Sequence, residues 1–111
     1  MKPSYKVLLA AAIAGTLVGP AALANCRLPS APSKIPDGAT ASEQQMITAM
    51  QTIREYNRDV HTYMKCLDFE VRQNRLSPSD QVSLHNNALS ELREIAAEFN
   101  HQVKVFKSKH T

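Results

Sequence analysis

Tryptophan is absent from this chain of 111 residues, which carries only three tyrosines, three phenylalanines, three glycines and two cysteines. Each shortage excludes a chemistry. The two cysteines, Cys26 and Cys66, stand too far apart for a CxxC redox pair or a CxxCH haem attachment. Four histidines without an HxxxH spacing leave a zinc site unsupported. So few glycines and aromatics make neither a glycine-rich phosphate loop nor a stacking platform for bases. No nucleophile–base arrangement is visible. The acid pairs Glu55/Asp59 and Glu94/Glu98 sit at i, i+4 with nothing to suggest a pocket around them. The expectation is a protein that is not an enzyme and needs no cofactor.

Long apolar runs are also missing. The longest, Val7 to Val18, has 12 residues, short of the roughly 20 that a membrane-crossing helix needs. Lys2 and Lys6 precede it, Gly19 and Pro20 break it, and Ala22-Leu23-Ala24 follows with the small-x-small pattern of a signal-peptidase site. Residues 1–24 are therefore expected to be a cleaved signal peptide, leaving a periplasmic or secreted protein with no membrane anchor. A lipoprotein would need a small residue directly before the modified cysteine, and Asn25 stands before Cys26. Without Lys2 and Lys6 the 13 basic residues fall to 11 against 10 acidic ones, a formal charge of +1. That gives no support for nucleic-acid binding.

What the rest of the chain does contain is helix. Thr40-Ala41-Ser42-Glu43 reads as a capping box, and no proline or glycine follows until Pro78. Met46, Met50, Ile53, Asn57, Val60, Met64, Leu67 and Val71 alternate by four and three, an unbroken heptad seam. After a short connection, Gln73 to Leu76, Ser77 caps a second helix with Pro78 at its first position and Asp80 in its first turn. Its seam is Val82, His85, Leu89, Leu92, Ala96, Phe99, Val103 and Phe106. Short connections make neighbouring helices antiparallel. The expected fold is all-α: a helical hairpin over about 40–73 and 78–108, preceded by a Pro-rich strap over 25–39.

The two flanks of the seam differ. Ala49, Tyr56 and Tyr63 face Ala88, Ile95 and Gln102 on one edge, whereas Arg54, His61 and Asp68 face Asn86, Arg93, Asn100 and Lys107 on the other. An apolar edge needs a cover. Cys66 lies 26 residues beyond Thr40, about 39 Å along a helix, and Cys26 lies 14 residues before it, about 43 Å in polyproline geometry. The lengths match, so a Cys26–Cys66 disulfide would draw the strap back along the apolar edge, with Pro29, Pro32 and Ile35 or Pro36 on the rings of Tyr56 and Tyr63. The same cysteines could instead join two chains.

Asn57, alone among apolar seam residues, reads as a buried amide that sets register or partner number. His85 reads as a polar residue closing one end of the core. His61 and Met64 at i, i+3, with His85 nearby, could suggest a soft metal such as copper, although methionines at heptad spacing serve as core filler. Cys26 with the prolines after it, "IPDG" (Ile35 to Gly38), "YMKCL" (Tyr63 to Leu67), "HNNAL" (His85 to Leu89) and "FNHQVKVFK" (Phe99 to Lys107) resemble a group of small exported bacterial proteins. The resemblance spans nearly the whole chain after residue 24. It implies an envelope protein of this layout and brings no catalytic residues. The expected role is protein–protein contact, structural, partner-binding or chaperone-like, possible as a homodimer forming a four-helix bundle. A copper carrier and an inhibitor or immunity-type binder of an exported enzyme are the alternatives.

Overall fold

A computed structural model describes residues 26–111; the signal-like segment 1–24 and Asn25 lie outside the described residues. Two helices follow an N-terminal segment without regular secondary structure: α1, Glu43–Arg72, and α2, Pro78–Lys109. They contain 30 and 32 residues, about 45 and 48 Å at 1.5 Å per residue. They pack against each other as the expected all-α hairpin.

The start of α1 falls two residues later than the Thr40 capping box predicts. Asp37 explains the shift. Its carbonyl oxygen accepts from the backbone N–H groups of Thr40 (3.1 Å) and Ala41 (2.9 Å), and its carboxylate accepts from Ala39 N–H at 2.9 Å. That turn occupies Thr40 and Ala41, and Ala41 is buried in it. Ser42, in extended geometry, becomes the cap: its hydroxyl accepts from Gln45 N–H at 3.1 Å, while the Gln45 amide oxygen accepts from Ser42 N–H at 2.8 Å. The capping box is present with Ser42 and Gln45 in place of Thr40 and Glu43. The second helix begins as expected, with the Ser77 hydroxyl accepting from Asp80 N–H at 3.0 Å.

Between the helices, Asn74 adopts φ 60°, the left-handed conformation that asparagine tolerates better than most residues. Asn74 N–H donates to the Val71 carbonyl (3.0 Å) and Arg75 N–H to the Glu70 carbonyl (2.9 Å). These two bonds form a Schellman motif, which satisfies the last carbonyls of α1 and reverses the chain in a few residues. Leu76 then packs against the core.

The core is displaced from the heptad seam. Tyr56, Val60, Tyr63 and Leu67 of α1 are buried with Ala88 and Leu92 of α2 and with Cys26 of the strap. Leu67 is fully enclosed at 0 % exposure. The tyrosines, a flank in a two-helix reading, are central here because the strap lies over them. The opposite row is only partly covered: Met50, Met64, Leu89, Ala96 and Val103 are half-buried, Val82 is 54 % exposed, and Asn57 is exposed. Asn57 is therefore not a buried register device between the two helices, which corrects that expectation. Its position lies on the side the strap leaves open.

The strap ends in a close approach. Gly38 is buried, and its N–H donates to the Gln102 side-chain oxygen at 2.7 Å. A β-carbon there would run into the Gln102 backbone carbonyl and lie 2.8 Å from the Phe106 nitrogen. Because backbone atoms cannot swing aside, Gly38→Ala is expected to cost about 1–3 kcal/mol in urea unfolding, whereas Ala39→Ser, at an exposed neighbour, should leave the midpoint unchanged.

Candidate functional site

The strap is latched at its first described residue. Cys26 and Cys66 form a disulfide within the chain, with 5.5 Å between their Cα atoms. From that bond the segment runs back along α1. Arg27 and Pro29 border a hollow with Asp59, Thr62, Tyr63 and Cys66, and Ala31 packs against the tyrosine cluster. Pro32, Ile35 and Pro36 flank a second hollow, about 460 Å³, whose other wall includes Gln45, Thr48, Ala49 and Ile53. Ten peptide units from Cys26 to Pro36 reach about 31 Å in polyproline geometry. The 21 positions from Gln45 to Cys66 measure about 32 Å of helix. The strap is thus drawn out, and Pro32 and Pro36 lie beside the N-terminal half of α1, while Pro29 lies beside Tyr63.

Burial raises the Tyr56 hydroxyl above its ordinary pKa of 10.0, and the negative charge of Glu91 raises it further; burial alone raises Tyr63. Both rings thus remain neutral phenols across ordinary pH, as a strap-covered apolar face requires.

Next to the disulfide is a residue that the flank pattern could have revealed. Glu70 follows Tyr56 and Tyr63 at the same seven-residue interval and follows Cys66 by four. It is 1 % exposed. Its carboxylate accepts from Arg75 Nε at 2.7 Å and from Arg75 Nη2 at 3.0 Å, a two-pronged pair. Arg75 also lies over the Phe69 ring, 5.7 Å from its centroid, and the bond to Glu70 holds its guanidinium pKa above the ordinary value. One carboxylate oxygen of Glu70 and the sulfurs of Cys26 and Cys66 all lie within 4.8 Å of one another. This trio is not a metal centre, because sulfurs joined in a disulfide are not thiolate ligands.

The soft-metal candidates are arranged differently. His61 is exposed, with Nδ1 2.8 Å from the Asn57 carbonyl oxygen. Met64 packs against the core and His85 is half-buried. Among the described residues neither histidine belongs to a cluster of three His, Cys, Asp or Glu ligand atoms.

At the far end of the hairpin the antiparallel pairing brings the beginning of α1 to the end of α2. Met46, Ile47 and Met50 meet Phe99, Val103 and Phe106 around a groove of about 200 Å³, with Glu43 at its edge. Phe106 is steadied by stacking on His110, 4.0 Å between centroids, while His110 Nδ1 lies 2.8 Å from the Phe106 carbonyl oxygen. Phe99 is the second aromatic wall, and Met46, Ile47, Met50 and Val103 supply thioether and aliphatic ones. Lys104, Lys107 and Lys109 occupy the last turns of α2. The arrangement can hold an apolar side chain or chain segment, with the Glu43 carboxylate at its rim.

Fold and site define a disulfide-strapped helical hairpin with an apolar groove at its free end. Comparison with protein-family models, curated proteins and solved structures yields no match, so the resemblance in the sequence motifs rests on those motifs alone.

Two outcomes follow from the latch. Closing a loop of 40 residues contributes about 4 kcal/mol on the chain-entropy account, so the double variant Cys26→Ser, Cys66→Ser is expected to lose stability of that order in urea. A phenol with a raised folded pKa contributes stability that is complete below pH 10 and is lost as pH rises through the folded value. Tyrosinate absorbance should therefore appear later in the native protein than in denaturant, Tyr56→Phe and Tyr63→Phe should each remove a late component, and the melting temperature should fall above pH 10.

Proposed function

We propose that this is a small exported helical protein that acts by binding other polypeptides, without catalysis. The observation that carries this reading is the groove bounded by Met46, Met50, Phe99, Val103 and Phe106. Two methionines, unbranched and polarizable, give it walls that can refit to different side chains. It lies at the end where no loop joins the helices, near the point at which Gly38 of the strap meets the α2 backbone. The disulfide supports an oxidising compartment, since such bonds persist in the periplasm and outside the cell. The signal-like pattern of residues 1–24 points the same way.

The bound class is apolar segments of envelope proteins, either one specific partner or unfolded chains in general. Photo-crosslinking from position 50, in cells, distinguishes these. A single adduct is expected for a dedicated partner, and a broad smear together with slower aggregation of a heated test enzyme for a holdase. Val103→Glu, which puts a charge in the groove, should abolish either result while leaving the circular dichroism spectrum helical. Crosslinking that Val103→Glu leaves untouched, or none from the native chain, would remove the groove from the reading.

A further inference from the structure

The cluster at the latch has a chemical consequence independent of what the groove binds. The Cys26–Cys66 disulfide and the Glu70 carboxylate lie within 4.8 Å of one another, Cys26 is 3 % exposed, and Arg75 grips Glu70 from the solvent side with its own side chain 46 % exposed. We propose that Glu70 guards the disulfide against thiol exchange, so that the strap stays latched where small thiols are present.

The reaction guarded against has two steps. A thiolate attacks one cysteine sulfur, the S–S bond breaks, a mixed disulfide forms, and the other cysteine leaves as a thiolate that takes up a proton. A second thiol resolves the mixed disulfide, releasing the remaining cysteine as a thiol. Two external thiols are oxidised to one external disulfide, and the protein disulfide is reduced by the same two electrons. In the first step the attacking thiolate brings its negative charge up to the disulfide and the departing cysteine sulfur takes that charge over, both beside Glu70. In the second step the remaining cysteine departs as a thiolate beside Glu70 before it is protonated. A nearby carboxylate disfavours each, as like charges do. Arg75 is a positioning residue here: it fixes the carboxylate and partly offsets its charge.

Burial alone also slows exchange, so the test must separate charge from stability. The purified protein, with its disulfide formed, is reduced by two thiols of opposite side charge, cysteamine and mercaptoethanesulfonate, at low ionic strength. Each rate is divided by that on the same chain unfolded in urea. The ratio of the normalised rates, cationic over anionic, is insensitive to how often the latch opens. It is expected to exceed one in the native chain and to fall about tenfold in Glu70→Gln, the scale of a close unit-charge interaction at intermediate dielectric. Arg75→Gln, which keeps the carboxylate and removes its countercharge, is expected to raise the ratio. If both variants merely speed reduction by the two thiols equally, Glu70 acts through stability alone and the proposal is overturned. Should Glu70→Gln fail to fold, Arg75→Gln decides: a raised ratio sustains the guard, and an unchanged or lowered one rejects it.

Discussion

Everything in this molecule hangs on the bond between Cys26 and Cys66. Two helices in contact bury one stripe each and leave the edges of that contact open, which is too little for a domain of this size to stand on. The disulfide converts a proline-rich segment into a third layer. It makes Tyr56 and Tyr63 interior residues, and Cys26 itself becomes part of the core. Proline suits the segment because its backbone is already restricted, so that ordering it costs less entropy than ordering a flexible chain. At the other end Gly38 meets the α2 backbone so closely that the strap is held by contact and by one hydrogen bond to Gln102. Both ends are fixed, by different chemistry.

This construction makes the two ends of the hairpin unlike. Near the turn, the Schellman motif, the Glu70–Arg75 pair, Leu76 and the disulfide gather within one short stretch. A buried carboxylate is stabilised there by a guanidinium that matches it with two hydrogen bonds; removing Arg75 would leave the carboxylate in a poor environment. Directional polar contacts of this kind specify one geometry. The opposite end has no covalent link and is lined with methionine, phenylalanine and valine, whose contacts carry little directional preference. Even so, the strap turn beside it is held by directional contacts, the Gly38–Gln102 hydrogen bond and the Ser42–Gln45 capping box.

Much of this was legible in the residues. Continuous helices follow from the lack of proline and glycine between Gly38 and Pro78, and the pairing of Cys26 with Cys66 follows from matching two lengths. The cap of α2 is correct because Ser77-Pro78 admits one reading. The cap of α1 is not, because Thr40 and Ser42 are both competent; Asp37, through its carbonyl, decides between them, and a backbone acceptor leaves no mark in residue type. Gly38 lies in the turn that Asp37 closes, yet its φ is not positive; what demands glycine is the nearness of α2, a tertiary fact. The groove was half visible, since Met46, Met50, Phe99, Val103 and Phe106 were all in the seams, but Ile47 was not.

Asn57 and Glu70 show how a heptad pattern misleads when a third layer is present. The alternation of four and three assumes that each helix faces one neighbour, and it places Asn57 inside and Glu70 outside. With helix and strap both to be met, the buried arc of α1 turns toward the tyrosine flank, about 60° round the helix from the seam centre at 100° per residue. One rotation exposes Asn57 and buries Glu70. The polar residue in the seam and the acid in line with two tyrosines are therefore two signs of one cause. Polarity at Asn57 is harmless because that side lies away from the strap, and acidity at Glu70 is tolerable because Arg75, five residues on across the Schellman turn, can reach back to it. The strap thus sets the rotation of the helix, and the helix rotation sets which polar groups must be paired.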